Sequence, residues 1–292
     1  MQKLLPTIWF NGSAPEAADF YCQTFTSAQI LSSSNYPSEG LPAGQEELAQ
    51  QPMLIELEID GFRIQLLNAD DHFSPNPSIS FMVNFNPADH ADPRAALDEL
   101  WAKISQDGTV LMPLESYDFS DYYGWCADRY GVSWQLILRP EDQPKRPLIQ
   151  PAMLFTDPAQ GKAGAASEKY VNVLRRLGPS SVDYRVNYPD DPESILYAEA
   201  RIAGEQIIVM DSNVDHAFGF TPGFSFTLLC SGQDEIDAIW RDLAAVEQPC
   251  GWCQDEFGVS WQVIPDNMEQ LMSKPGAYQR LMQMKKIEIK DF

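Results

Sequence analysis

The chain has 292 residues, a length that suits two domains better than one. It is 44% hydrophobic and has no apolar run near the ~18 residues that a membrane span requires, which predicts a soluble protein with no membrane partner. The 42 acidic and 20 basic residues give a formal net charge of −22, which would repel a phosphate backbone and argues against a nucleic-acid partner.

Two features of the sequence favour a cytoplasmic location. The residues from Met1 to Pro6 lead directly into a strand-like run, without the apolar stretch and the cleavage site of a secretory signal. The 5 cysteines are an odd number scattered along the chain, which does not make a disulfide framework, so we expect reduced thiols.

The first predicted elements are a helix and a hairpin. Ser13 to Glu16 reads as a capping box with a proline in the first turn, and apolar residues follow at helical spacing. Residues 53–60 then alternate between apolar and acidic side chains, and the turn at Asp60 and Gly61 joins them to a second strand.

The next predicted elements repeat this order. A strand over residues 79–85 precedes a helix that begins at Asp92 and ends near Gly108. Strands over residues 109–114 and 132–138 follow. The order strand, helix, three strands therefore occurs twice, which predicts two βαβββ modules.

The chain repeats itself. The segment Gly124–Gln135 returns as Gly251–Gln262 with nine of twelve residues identical, and earlier segments match in the same order. The residues between the copies, Arg139–Pro147, have three prolines among charged residues and no apolar period, which is typical of a linker. We therefore predict two tandem domains, residues 1–145 and 146–292.

Several motifs resemble one family. The run Trp9–Tyr21 resembles the opening of PhnB-like proteins, a branch of the vicinal oxygen chelate superfamily of glyoxalases, bleomycin-resistance proteins and dioxygenases, and Gly258–Gln262 resembles a later signature. The resemblance implies an α+β fold of two tandem domains, each of paired βαβββ modules that form a cupped mixed sheet, the glyoxalase-like half-barrel. The branch carries the label 3-demethylubiquinone 3-methyltransferase. The chain has no glycine-rich strand-to-helix turn for a nucleotide-like methyl donor, which argues against that activity.

The resemblance also implies where a metal ion would bind. Enzymes of the superfamily take ligands, usually His, Gln or Glu, from the first and last strands of each module. The corresponding positions are near Pro6 or Thr7, Ser78 and Gln135 in the first copy, and Ala152, Pro222 or Gly223, and Gln262 in the second. None is a histidine or carboxylate, the ligands that an open catalytic site needs, so we predict no metal ion and no cofactor.

The candidate ligand-binding residues are aromatic or polar and lie on predicted strands. Tryptophans at strand spacing usually belong to a core, but indole rings lining a half-barrel would stack on a flat ligand, with Trp125 and Trp252 the favoured pair. Asn68 and Asp211 end equivalent strands and would orient a ligand or serve a turn. The full set is Trp9, Asn68, Trp125, Gln135, Asp211, Trp252 and Gln262.

The candidate catalytic residues are His72 and His216, which follow equivalent strands. A neutral imidazole there would act as a base or ligand, and the alternative is a turn or surface role. Cys250 and Cys253 have the C-x-x-C spacing of a redox pair or half a zinc site, but the second half of such a site is missing.

Two functions remain open at this stage. The first is a metal-free module that binds a small hydrophobic or aromatic molecule, as resistance proteins of the superfamily do. The alternative is a lyase or dioxygenase-type enzyme with an atypical metal or a histidine base. Either is compatible with a homodimer.

Overall fold

The structure, a computed structural model, describes residues 1–41 and 46–292. The first copy contains β1 (Leu4–Asn11), α1 (Ala14–Thr24), β2 (Ala28–Asn35), β3 (Pro52–Ile59), β4 (Phe62–Ala69), β5 (Ile79–Phe85), α2 (Pro93–Ile104), β6 (Thr109–Tyr117), β7 (Ser120–Ala127) and β8 (Ser133–Leu138). The second contains β9 (Ile149–Phe155), α3 (Ala163–Leu174), β10 (Ser181–Asn187), β11 (Ile195–Ile202), β12 (Glu205–Asp211), β13 (Phe224–Cys230), α4 (Gln233–Leu243), β14 (Val246–Glu247), β15 (Trp252–Gln254), β16 (Ser260–Pro265), α5 (Met268–Met272) and α6 (Ala277–Gln283). The predicted order of elements within each module is confirmed.

Within the described residues the strands form two eight-stranded sheets, and the predicted α+β class is confirmed. Sheet 1 has the order β14-β15-β16-β13-β1-β4-β3-β2, and sheet 2 has the order β10-β11-β12-β9-β5-β8-β7-β6. Sheet 1 thus combines the first module of the first copy with the second module of the second copy, and sheet 2 combines the other two. The expectation that the two modules of one copy share a sheet is corrected.

Antiparallel pairs at the centre of each sheet join the two copies. In sheet 1, β1 pairs with β13, with Thr7 opposite Ser225. In sheet 2, β5 pairs with β9, with Ser80 opposite Ala152. Backbone hydrogen bonds of both sheets therefore cross from one copy to the other, so neither sheet is complete within a single copy.

Alternation along the strands divides each sheet into two faces. Leu4, Ile8 and Phe10 point from β1 into a core that also contains the apolar faces of the helices. Thr7 and Trp9, at the intervening positions of β1, point to the opposite face. We call this opposite face the cup face of each sheet, because it is the face that a glyoxalase-like sheet curves around.

The first helix is predicted correctly, but its predicted capping box does not form. The Ser13 side chain makes no capping hydrogen bond. The backbone N–H of Ala14 instead donates to Asn68 Oδ1 at 3.2 Å. A residue distant in sequence therefore supplies the cap, because β4 ends beside the start of the helix.

A buried aspartate in each copy links elements of the two sheets. In the first copy, the Tyr21 hydroxyl of α1 and Trp134 Nε1 of β8 donate to Asp128 Oδ2 at 2.8 and 2.9 Å. The backbone N–H groups of Tyr130 and Val132 donate to the other carboxylate oxygen. Burial raises the pKa of the Asp128 carboxyl, and these four hydrogen bonds act against the rise.

The second copy repeats this cluster. Tyr170 of α3 and Trp261 of β16 donate to Asp255 Oδ2 at 2.7 and 2.9 Å. In each copy the helix follows a strand of one sheet and the tryptophan lies on the other sheet. The cluster therefore holds the two modules of one copy together, although they contribute to different sheets.

We predict that Tyr21→Phe and Tyr170→Phe each lower the free energy of unfolding by about 1–3 kcal/mol, because each removes one donor from a buried carboxylate without changing the packed ring. Urea unfolding followed by fluorescence measures the change. Tyr184→Phe is the control, since Tyr184 is 53% exposed, and it should change stability by less than about 0.5 kcal/mol. Equal effects in all three variants would contradict the structural role of the clusters.

Candidate binding site

The centre of the cup face of sheet 1 carries neutral polar side chains from four strands. Thr7 Oγ1 donates to Gln65 Oε1 at 3.0 Å and lies 2.7 Å from Thr227 Oγ1. Next to them, Gln262 Nε2 donates to Ser225 Oγ at 3.1 Å. These strands, β1, β4, β13 and β16, are the first and last strands of their modules, which is where the superfamily places metal ligands.

This set does not fit a catalytic divalent metal. Its oxygens belong to neutral hydroxyl and carboxamide groups, and the Thr7 hydroxyl is already used in hydrogen bonds within the cluster. Across residues 1–41 and 46–292, no group of three or more His, Cys, Asp or Glu side chains could hold a metal ion. The resemblance implies a ligand position near Pro222 or Gly223. In the structure the residue of β13 opposite Gln262 is Thr227, a few residues further along the chain.

The equivalent centre of sheet 2 is mostly apolar. Ala152 of β9 and Ile208 of β12 take the places of Thr7 and Gln65, and Met82 of β5 takes the place of Thr227. Only Gln135 keeps its counterpart, and it donates to Ser80 Oγ at 2.7 Å. The two cup faces therefore differ in chemistry although they share one fold.

Aromatic and sulfur-containing side chains surround this apolar centre. Met82 and Tyr123 are buried, and five more such side chains are partly buried against them. The residues packed together on the cup face of sheet 2 are Met82, Tyr123, Ile137, Ala152, Ile208, Met112, Tyr117, Trp125, Tyr197 and Met210. The Tyr123 hydroxyl donates to Gln135 Oε1 at 2.6 Å, which fixes the amide at the floor of the cup.

The predicted tryptophan pair is not formed. Trp125 lies on sheet 2, where its Nε1 donates to Ser133 Oγ at 2.7 Å. Trp252 lies on sheet 1 and instead makes an edge contact with Trp9, with ring centroids 6.1 Å apart. The exchange of modules between the sheets brings Trp9 and Trp252 together on sheet 1, while Trp125 lies on sheet 2.

Trp252 does not make with Ser260 the hydrogen bond that Trp125 makes with Ser133. Ser260, the counterpart of Ser133, is fully buried, and its hydroxyl has no hydrogen bond within the part of the chain that the structure describes. Trp9 also contacts Phe73 at 5.2 Å, and its Nε1 donates to the backbone oxygen of Asp70. These rings form the aromatic margin of the cup face of sheet 1.

The C-terminal helices lie beside this margin. The Tyr278 ring of α6 lies 6.4 Å from the Tyr36 ring, which follows β2 at one edge of sheet 1. Near the other edge, Cys250 Sγ lies 3.4 Å from Met282 Sδ of α6. A cavity of about 310 Å³ separates α6 from Pro37. Among residues 1–41 and 46–292, sheet 2 has no corresponding helix, because the linker to β9 follows β8 directly.

Asn68 and Asp211 have equivalent structural roles. Asn68 caps α1, as described above, and Asp211 accepts hydrogen bonds from the backbone N–H groups of Ala163 at the start of α3 and of Ile195. Both are about 1% exposed. Their polar atoms are thus engaged with the backbone on the helix side of the sheets, away from the cup faces.

The two candidate histidines contact their own loops. The His72 side chain is 74% exposed, and its Nδ1 lies 2.8 Å from Asp70 Oδ1. His216 Nε2 lies 2.8 Å from Ser212 Oγ, and its ring packs on Phe218. Contacts of this kind are those of a turn or surface role, the alternative to a catalytic role for both histidines.

The C-x-x-C pair is poorly suited to redox or metal chemistry. Burial raises the pKa of the Cys250 thiol to about 11 and that of the Cys253 thiol to about 12, so the reactive thiolate is disfavoured. Both cysteines are free. A thiol held in its neutral form is a weak nucleophile and a weak metal ligand.

Four further cup-face residues, Gln65, Thr227, Met82 and Arg139, are not among the site residues predicted from the sequence. The period-two pattern identifies their strands, but only the strand order shows which strands meet at a cup centre. A second cavity, of about 240 Å³ and lined by Tyr188 and neighbouring polar residues, includes none of the cup-face residues named here.

Known structures define the class of fold. Glyoxalase I from Zea mays has a TM-score of 0.54 at 11% sequence identity, and the match covers 91% of this chain and 95% of that one. A point mutant of the same maize enzyme has a TM-score of 0.56 at 12% identity, with the same coverage. The chain thus has the fold of glyoxalase I.

The chain belongs to the family described as 3-demethylubiquinone-9 3-methyltransferase, whose model matches residues 2–137 and 147–264. A PhnB protein from Bacillus cereus, whose description carries the same methyltransferase name, is 31% identical over 47% of this chain and 100% of its own, with a TM-score of 0.41. The PhnB-like resemblance is thereby confirmed. Curated proteins give no match. In the described residues no helix is long and apolar enough to cross a membrane.

We predict that Asn68→Ala and Asp211→Ala each lower the free energy of unfolding by about 1–2 kcal/mol, because each leaves helix-start N–H groups without an acceptor. Chemical denaturation measures the loss. Both variants should keep the affinity of the native protein for any cup-face ligand. A selective loss of binding with unchanged stability would assign them a ligand role instead.

Proposed function

We propose that this protein binds a small hydrophobic or aromatic molecule on the cup face of sheet 2, without a metal ion. The observation that carries the proposal is the replacement of the metal-ligand positions by Ala152, Ile208 and Met82 within a ring of aromatic side chains. A pocket of apolar and aromatic groups with few polar groups is the usual form of a small-molecule site.

The composition of the site suits a flat molecule. Methionine side chains adapt to irregular shapes, and Met82, Met112 and Met210 lie on three different strands around the centre. Trp125 and Tyr123 offer ring faces and edges for stacking. Gln135 supplies the polar contact at the floor, and it is held there by Tyr123 and Ser80.

Access to the site is supported by exposed apolar groups at its margin. The Phe119 side chain is 64% exposed and contacts Tyr117 and Tyr123 in the β6–β7 hairpin. Tyr184 of β10 is also half-exposed and contacts Tyr197. Apolar groups on both edge strands of a sheet are typical of a surface that receives a ligand.

The enzymatic alternative lacks comparable support. The contacts of His72 and His216 are with their own loops, and neither imidazole packs with the residues of the cup face of sheet 2. The cytoplasmic location, the homodimer and the domain boundary at residue 145 stay predictions from the sequence.

A thermal-shift screen tests the proposed binding. Because a ligand of the native state adds stability by mass action, a member of a panel of small aromatic compounds should stabilise the protein by about 2.7 kcal/mol at about 100 times its dissociation constant. The shift should be the same with and without a chelator. Loss of the shift on chelation, together with stoichiometric metal in elemental analysis, would contradict a metal-free site.

The two copies supply a matched pair of variants to locate the site. Trp125→Ala removes a ring from the cup face of sheet 2 and should weaken binding by about tenfold, a typical loss for one aromatic contact. Trp252→Ala, at the equivalent position in sheet 1, should leave the affinity unchanged. Isothermal titration measures both. The opposite ranking would move the site to sheet 1.

A further inference from the structure

Arg139 is a buried cation on the cup face of sheet 2 that the proposed site does not yet use. It follows β8 and continues the alternation of Gln135 and Ile137, and it is 9% exposed. Its Nε donates to Asn84 Oδ1 at 2.7 Å. Its Nη2 is buried and has no hydrogen-bond partner among the described residues.

The charges around Arg139 do not balance. Glu199 is the buried carboxylate on this face, and it already pairs with Arg146 at 2.8 Å and accepts the Tyr197 hydroxyl at 2.9 Å. Burial raises the pKa of Tyr197 to about 12, and the nearby Arg139 acts against that rise. In the part of the chain that the structure describes, Arg139 has no ion pair of its own. The guanidinium group of Arg139 is therefore not neutralised by Glu199, which is engaged by Arg146.

This excess of positive charge stands out because the chain as a whole carries a formal charge of −22. A buried charge without a partner is costly, and it is usually retained where a partner binds. A guanidinium has a planar fork of donors that matches a carboxylate or a similar anion. Here Nε has a protein acceptor in Asn84 and Nη2 has none among the described residues, so the guanidinium keeps a free donor for another group.

We propose that Arg139 pairs with the anionic group of the ligand, so that the cup of sheet 2 selects a small aromatic carboxylate or an anion of similar shape. This inference rests on the proposed function. Arg139 and Gln135 are four residues apart on an extended strand, about 13 Å along its axis. The hydrogen bond to Asn84, which lies opposite Ile137, brings the guanidinium closer to Gln135 than this distance. A small aromatic acid can therefore have its anionic group at Arg139 and its ring toward Met82 and Trp125.

The second copy provides an internal contrast. The backbone N–H of Arg139 donates to the oxygen of Phe85, and that of Asp266 donates to the oxygen of Cys230, which shows that Arg139 and Asp266 are equivalent. Asp266 is exposed and pairs with Lys3 at 2.9 Å. The selectivity for an anion therefore belongs to the cup of sheet 2 alone.

Paired ligands test this inference on the intact protein. The panel contains aromatic carboxylates, from benzoate to 2-naphthoate, each with its primary amide as a neutral isostere. The native protein should bind the best carboxylate at least about tenfold more tightly than its amide, the gain expected of a hydrogen bond to a charged group. In Arg139→Met this ratio should fall to about one, whereas the affinity for the amide should remain.

Two further variants make the result decisive. Arg63→Met removes a partly buried arginine from sheet 1, where it pairs with Glu56, and should keep the native ratio. Arg139→Lys keeps the charge without the fork and should give an intermediate ratio, and it replaces Arg139→Met if that variant does not fold. An equal affinity of the native protein for carboxylate and amide, or an unchanged ratio in both Arg139 variants, would overturn the anion site. If carboxylate and amide bound equally well and Trp125→Ala weakened both, the proposed binding site would stand without the anion preference. If no panel member bound, both the proposed function and the anion site would be contradicted.

Discussion

In each copy, one buried carboxylate that accepts four hydrogen bonds holds the two modules of that copy together. Because each sheet is built from modules of both copies, the connection between the modules of one copy must pass through the packed core. Asp128 and Asp255 provide it, since each accepts from a tyrosine on a helix of one sheet and from a tryptophan on a strand of the other. Desolvation raises the pKa of both carboxyls, and the hydrogen bonds to each carboxylate act against that rise.

The fixed core allows the cup faces to vary. Strand order places the same four positions at the centre of each sheet, and the side chains there decide the chemistry. In sheet 1 they are neutral groups bonded to one another, around Thr7 and Thr227. In sheet 2 three of them are apolar and the fourth is Gln135, with the buried cation of Arg139 at one end. The fold is shared with glyoxalase I, and the side chains at the positions where the family resemblance implies metal ligands are uncharged in both sheets.

The hydrophobic periodicity and the turn residues predict the helices and strands well. They do not predict which strands pair when the partners are far apart in the sequence. The repeat, the order of strands and helices and the α+β class follow from periodicity and turn residues, which act over a few positions. The exchange of modules between sheets cannot be read from periodicity, because each strand has the same apolar pattern whichever neighbour it pairs with. For the same reason the sequence pattern does not show that Trp9 contacts Trp252, or that Asn68, a candidate for a ligand contact or a turn, caps α1. Arg139 was read as linker because of its charged neighbours, although it continues the alternation of β8.

The antiparallel seam between β1 and β13, and its counterpart between β5 and β9, have a consequence for how the cups can diverge. An assembly of two identical chains with the same seams would hold two identical cups, and every substitution would appear in both. A single covalent chain breaks that symmetry, because Thr7 and Ala152 are encoded separately. One hollow can then specialise while its twin keeps a tightly bonded interior that secures the scaffold.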